Sequence, residues 1–263
     1  MAKDKNKKLG KKGKNKKGDK HTFLRKEWHK LFSPSDLKNT QMVGWTCVNK
    51  TSGTKVSTDY LKGRVGEITA MDLTVKGDNE SGSGSNNLSR KIKMFVEEVK
   101  DGSCYTSFYG YDMTRESICS VVRKRSSLID IYTDVRTNDG YVFRVFITSI
   151  SIRGREQVRV NSFCKSSTIR LLRLKTVQFL QDTIKAMKAE EFANQLVDQS
   201  LQSNVRKHMK SVYPNILTFV RKVKLIRKGE VDRKKFLKKS LQSSTATEAT
   251  IQENPEAKNG LTE

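Results

Sequence analysis

Arg221, Lys222 and Lys224 interleave with Phe219, Val223 and Leu225 near the end of the chain. Alternation sends one set of side chains to a core and the other to the surface. Guanidinium and ammonium groups would then line one exposed strand face. Arg clamps a phosphate through two parallel donors, and Lys acts as a point charge. The chemistry on offer is polyanion recognition. The strand lies in a block, residues 205–239, that holds thirteen Lys or Arg against Glu230 and Asp232. A second block, residues 153–175, carries Arg153, Arg155, Arg159, Lys165, Arg170, Arg173 and Lys175 against Glu156 alone. Lys62 and Arg64 flank Gly63, whose flexibility would let Arg64 lean on a phosphate backbone. The first twenty residues hold ten lysines, among them Lys7, Lys8, Lys11, Lys12, Lys16 and Lys17, against Asp4 and Asp19.

That N-terminal segment has Leu9 as its one large apolar residue after Met1. It cannot offset its ordering entropy with burial and is expected to be disordered in isolation. It carries +8 of a formal net charge of +24, so +16 belongs to the rest of the 263 residues. A folded body with that excess repels itself unless a polyanion neutralises it.

Catalytic patterns are missing. No G-x-S-x-G or H-E-x-x-H occurs. The Gly-Lys pairs near Gly10 and Gly13 lack the strand–loop–helix setting of a phosphate-binding loop. Glu97 and Glu98 sit among lysines as counter-charges, and Asp130, Asp134 and Asp139 read as strand and turn surface sooner than as Mg²⁺ ligands. Cys47, Cys104, Cys119 and Cys164 form no C-x-x-C pair, and His21, His29 and His208 lie near none of them in sequence, so a zinc site is not expected. They read as reduced, mostly buried thiols of an intracellular protein. The expectation is no catalytic residue, no metal site and no cofactor, with Mg²⁺ present only as part of an RNA environment. No run of eighteen apolar residues and no apolar N-terminal segment occurs, so neither a membrane span nor a secretory signal is expected.

The elements that must position these cations follow from periodicity. Ser33 to Asp36 reads as a turn and Trp45 to Thr51 as a strand. Arg64 to Leu73 reads as a second strand, with Val65, Thr69, Met71 and Leu73 on one face and Ile68 and Ala70 on the other. Ile92, Met94 and Val96, then Cys104, Thr106 and Phe108, alternate about a Lys100-Asp101-Gly102 turn and predict a hairpin. Thr114 offers a helix N-cap, followed at helical spacing by Ile118, Val121, Val122, Leu128 and Ile129. Ile131, Thr133 and Val135 pair through Asn138-Asp139-Gly140 with Tyr141, Phe143, Val145 and Ile147. A helix is predicted from Thr168 to Met187, a short one around Phe192 and Leu196, and a third through Val205 and Met209 that Tyr213-Pro214 ends. Hairpins first and helices later predict an α+β fold around a sheet or barrel. The expected domains are a basic tail over 1–20, one body over 21–239 and a polar, mildly acidic tail over 240–263.

No helix-turn-helix, zinc finger, basic zipper or RNA-recognition box is present. Basic tails on an α+β body suit structured RNA, where shape and phosphate dominate recognition. Several stretches then carry a resemblance: Leu61 to Val65 with Glu67 and Asp72-Leu73; Asp112 to Arg115; Thr137 to Tyr141 with Arg144; and Val212-Tyr213-Pro214 followed by Phe219 to Lys224. In order and spacing the chain resembles the archaeal and eukaryotic small-subunit ribosomal protein family e-S-one, over about residues 20–235.

The resemblance implies an antiparallel β-barrel-like core with C-terminal helices, bound to small-subunit rRNA on the platform near the mRNA exit. It implies neighbouring small-subunit ribosomal proteins, mRNA near the exit and initiation factors as partners, and a role in subunit assembly. The implied location is the cytoplasmic ribosome, with a nucleolar stage if the source is eukaryotic. Two other readings use the same surface: an RNA-processing enzyme, and an RNA chaperone or translational regulator acting off the ribosome.

Overall fold

The computed structural model describes residues 22–37, 42–73 and 89–229. A 3₁₀ turn, Thr22–Arg25, leads into β1 (Lys26–Phe32) and β2 (Met42–Asn49). Then come α1 (Ser57–Leu61), β3 (Val65–Thr69), α2 (Ala70–Leu73), β4 (Arg90–Lys100), β5 (Ser103–Met113) and α3 (Arg115–Val121). The chain continues through β6 (Leu128–Arg136), β7 (Val142–Ser151), α4 (Ser166–Lys185), α5 (Ala189–Val197), α6 (Ser200–Lys210) and β8 (Ile216–Arg227).

The strands form one eight-stranded sheet in the order β2-β1-β5-β8-β7-β6, with β4 paired to β5 and β3 to β4. The fold is α+β, as expected. The strands do not close into a ring, so the core is barrel-like only in a loose sense. β5 forks the sheet. One edge carries β4; the other carries β1, parallel, at Ser103 and Cys104 and β8, antiparallel, from Gly110 to Asp112. The Ser33–Asp36 turn fills the gap between them. Ser35 N–H donates to Thr106 O (3.3 Å), Thr106 Oγ1 to Phe32 O (2.8 Å) and Phe108 N–H to the Asp36 carboxylate (2.9 Å). A stretch of sheet edge that would otherwise lack partners is thereby satisfied.

Both expected hairpins form. Asp101 (φ 49°) and Gly102 (φ 73°) both lie in the left-handed region, as a two-residue turn matched to strand twist requires. Helix α4 buries Leu172, Thr176, Leu180 and Ile184, one residue per turn along a single stripe. With Phe192 and Leu196 of α5 and Leu201, Val205 and Met209 of α6, this stripe closes over Ile129, Ile131, Val145, Ile147 and Val223 of the sheet. Phe143 is the hub, within 5.1 Å of Phe192 and 6.0 Å of both Phe108 and Tyr141 by ring centroid. A smaller cluster of Val48, Leu61, Val96 and Cys104 meets this core through Leu31.

Four local expectations are corrected. Leu128 and Ile129 do not extend α3; they open β6, and α3 ends at Val121. The Arg64–Leu73 strand stops at Thr69 and finishes as the helical turn α2, which brings Leu73 round to the buried side of Ile68 and Ala70 while Val65 and Met71 stay exposed. In β8, Ile216, Thr218 and Val220 are buried and Phe219 is not. A bulge explains the change of parity. Ile147 pairs with Val220 and Phe146 with Lys222, so Arg221 is the extra residue, and Val223 points inward after it. The cysteines, finally, are free but not mostly buried. Cys104 is buried, Cys47 and Cys164 are half-buried and Cys119 is exposed. Burial pushes the Cys104 thiol up to about 11, away from thiolate chemistry.

Candidate nucleic-acid interface

The cations divide into those consumed inside the fold and those left for a ligand. On the outer face of the sheet, Lys222 reaches Asp112 (3.1 Å), Asp112 reaches Lys93 (3.4 Å), and Lys93 reaches Glu67 (3.3 Å), which also holds Lys91 (3.6 Å). Partial burial opposes charge on Lys93, but its hydrogen bond to Glu67 and the Asp112 charge outweigh it and raise the pKa. Lys222 is therefore one end of an alternating ladder. The Arg144 guanidinium donates to both oxygens of Asp134 (2.6 and 2.7 Å), and this pairing holds the Asp134 carboxyl below its usual range.

Arg221 and Lys224 are different. Both are exposed, and neither has an acidic partner among the described residues; Lys224 Nζ sits 5.9 Å from the Phe146 ring centroid. The bulge that shifts the parity of β8 also turns Arg221 outward.

A groove forms at the outer end of β1 and β2, where the 3₁₀ turn, the 50–55 loop and α1 converge. Among the described residues its walls include Arg25, Lys26, Lys50, Lys55 and Arg64, with Leu24 and Tyr60, and no acidic residue. Its volume of about 1290 Å³ exceeds the roughly 300–1,000 Å³ of small-molecule pockets. That suits a length of polymer better than a metabolite. Gly63 is not the loose hinge expected. Its N–H donates to Val96 O (2.9 Å), its φ is 82°, and the Arg64 carbonyl accepts from Val96 N–H (2.9 Å). Arg64 Nη1 donates to Thr46 Oγ1 (2.6 Å) and Cys47 O (2.9 Å), so the side chain braces β2 while lining the groove. Lys62 is exposed, 3.9 Å from Asp59.

In the second basic block, Arg153 is structural as well as exposed. Its Nε donates to Gln157 O (2.9 Å) and its Nη2 to Val158 O (3.3 Å), which shapes the loop that displays Arg155 and Arg159. The same loop is tied to the start of β6, because Ser162 N–H donates to Arg125 O (2.9 Å) and Cys164 N–H to Ser127 Oγ (3.0 Å). Arg123, Lys124 and Arg125, exposed and adjacent to this junction, were missed in sequence; the run of three cations was the available signal. Arg170 and Arg173 lie exposed on neighbouring turns of α4. Lys7, Lys8, Lys11, Lys12, Lys16 and Lys17, both tails and residues 74–88 lie outside the described residues.

Four of the five carboxylates considered for catalysis, Glu97, Asp130, Asp134 and Asp139, are occupied structurally. Glu97 accepts from Ser107 (2.8 Å) and pairs with Lys228, Asp130 accepts from Thr148 (2.7 Å), and Asp139 accepts the N–H of Ala189 at the start of α5 (2.9 Å). Among the described residues no three His, Cys, Asp or Glu side chains assemble a metal site, and no helix is long and apolar enough to cross a membrane.

An α+β body that pairs Glu67, Glu97, Asp112 and Asp134 internally and leaves cations in a groove, a bulge and a loop has the chemistry of a polyanion-binding protein. A model described as the Ribosomal S3Ae family matches residues 12–229. The protein called "Small ribosomal subunit protein eS1" from Brugia malayi is 34% identical over 249 residues, covering 95% of this chain and 93% of the relative. The one of that name from Babesia bovis is 34% identical over 266 residues, covering 100% and 97%. The chain belongs to the Ribosomal S3Ae family.

Proposed function

We propose that this protein is a structural constituent of the cytosolic small ribosomal subunit that binds and stabilises small-subunit rRNA without catalysing a reaction. Family membership supports the ribosomal role. The observation that carries the binding mode is the acid-free groove of Arg25, Lys26, Lys50, Lys55 and Arg64, with Arg221 and Lys224 exposed on a second face. Phosphate contacts dominate such recognition, and the basic tail adds charge to it. In this reading the protein sits on the platform near the mRNA exit, beside other small-subunit proteins and within reach of mRNA and initiation factors. It joins the subunit during assembly, in the nucleolus if the source is eukaryotic.

The test uses sedimentation of the full chain expressed beside the wild type. Lys50→Glu with Lys55→Glu changes two exposed side chains that hold no internal partner among the described residues. The double variant should be under-represented in small subunits. Its affinity for purified small-subunit rRNA should lose roughly 1.4–1.8 from the slope of log K against log salt, at about 0.7–0.9 per contact. A wild-type chain that stays at the top of the gradient at high magnesium overturns the ribosomal role. An unchanged slope overturns the groove.

A further inference from the structure

The β1–β2 ribbon presents a face that phosphate binding does not explain. In its register Trp28 pairs with Cys47 and Lys30 with Trp45, so Trp28, Lys30 and Trp45 share one face with Lys26. The opposite face carries His29, 3% exposed, and Val48, 5% exposed, and packs inward. Trp28 is 52% and Trp45 56% exposed. Diagonal neighbours on adjacent strands lie about 7–8 Å apart, yet neither indole takes part in a ring contact or hydrogen bond among the described residues. Two large aromatic surfaces are left to solvent beside ammonium groups, and Lys26 also lines the acid-free groove. The combination of flat rings with flanking cations is the chemistry of a platform for unpaired nucleotides: bases stack on aromatic faces while the backbone follows the charge. A duplex hides its base faces and has no use for the rings.

We infer that the Trp28–Trp45 face binds single-stranded RNA by base stacking, with the sugar–phosphate backbone led across Lys26 and Lys30 toward the groove. The inference rests on the rRNA-binding reading and adds the strandedness of the RNA and the residues that sense it. Trp28 and Trp45 are the only tryptophans in the chain, so intrinsic fluorescence reports on this face alone.

The experiment titrates the full-length protein with a twelve-nucleotide oligouridylate or oligoadenylate and, separately, with a twelve-base-pair RNA duplex at equal salt. Single strands should quench the fluorescence and the duplex should not, although both bind through phosphates. Trp28→Ala and Trp45→Ala should each weaken single-strand binding about tenfold, within the range measured for base–aromatic stacking. Duplex binding should be left intact, and Trp→Phe should restore most of the loss. Both side chains are half exposed, and circular dichroism verifies that each variant folds.

Equal quenching by single strand and duplex overturns the inference while leaving RNA binding in place. So does single-strand affinity unchanged in the double Ala variant, with the same variant losing a protein neighbour from assembled subunits; the face is then a protein contact. Failure of the wild type to bind any RNA overturns the rRNA reading itself and is distinguishable from both.

Discussion

Arg90 is the cation whose removal the fold should feel most. It opens β4 at 4% exposure, and its Nη1 donates to Leu196 O (3.2 Å) and Val197 O (2.5 Å), the last carbonyls of α5. Helix ends leave such carbonyls without intrahelical donors, and here one guanidinium supplies them. Burial pulls the Arg90 pKa down, while nearby Tyr111 and Asp198 work to raise it.

Arg90→Met keeps the apolar stem and deletes the donors. Two effects then compete. Removing a buried charge recovers its desolvation penalty, which has made some such replacements neutral or better. Two carbonyls are left without a donor, at about 1–3 kcal/mol each. The second effect should win, because the carbonyls belong to a helix end that cannot turn away while Phe192, Ala193 and Leu196 remain packed. A net loss of about 3 kcal/mol is expected, or a Tm about 6–12 °C lower for a body of this size. Thermal and urea denaturation followed by far-ultraviolet dichroism would read it, with Arg90→Lys falling between. A loss below about 1 kcal/mol in the Met variant would refute the reasoning and show that the guanidinium is replaceable by packing alone.

Asp112→Asn should free Lys222 from the ladder and leave Lys93 held by Glu67 alone. Stability should fall by about 1 kcal/mol or less, since the pairs are partly solvated, and the salt dependence of RNA binding should steepen if either lysine then meets a phosphate. Burial pushes the Tyr111 hydroxyl up to about 12, with Arg90 opposing and Asp112 adding. The native state therefore keeps its proton above the ordinary value near 10 when the unfolded chain has lost it. Stability should be unaffected below about pH 10 and fall between pH 10 and 12, by roughly 2–3 kcal/mol at the upper end. Alkaline denaturation of Tyr111→Phe should lose that component, and a curve identical to wild type would sink the assignment.

The architecture was readable in sequence wherever one period ran uninterrupted. Ile92, Met94 and Val96, or Ile131, Thr133 and Val135, announce their faces, and the α4 stripe announces its helix. Reading failed where the period broke. Nothing in Val220-Arg221-Lys222 marks Arg221 as a bulge, because both parities of β8 carry apolar residues. β1 was hidden for the opposite reason: its exposed face holds Trp28, and its buried face begins with Glu27 and His29.

The site was legible as charge and illegible as geometry. Composition gave the number of cations. Only the fold shows that Lys222 is neutralised by an aspartate over one hundred residues away, and that Arg25, Lys26, Lys50 and Lys55, unremarkable singly, share a wall with Arg64.

The order of the sheet bears on how the chain is made. β8, at Ile216–Arg227, lies between β5 and β7, which are finished by Met113 and Ser151. Synthesis at about 5–20 residues per second leaves the facing edges of those two hairpins unpaired for roughly 4–15 s after Ser151 is joined. During that interval the nascent protein is two half-sheets with open edges, each able to accept a foreign strand. Completion waits for one of the most basic segments in the chain, so the segment that concentrates cations also ends the period of greatest aggregation risk.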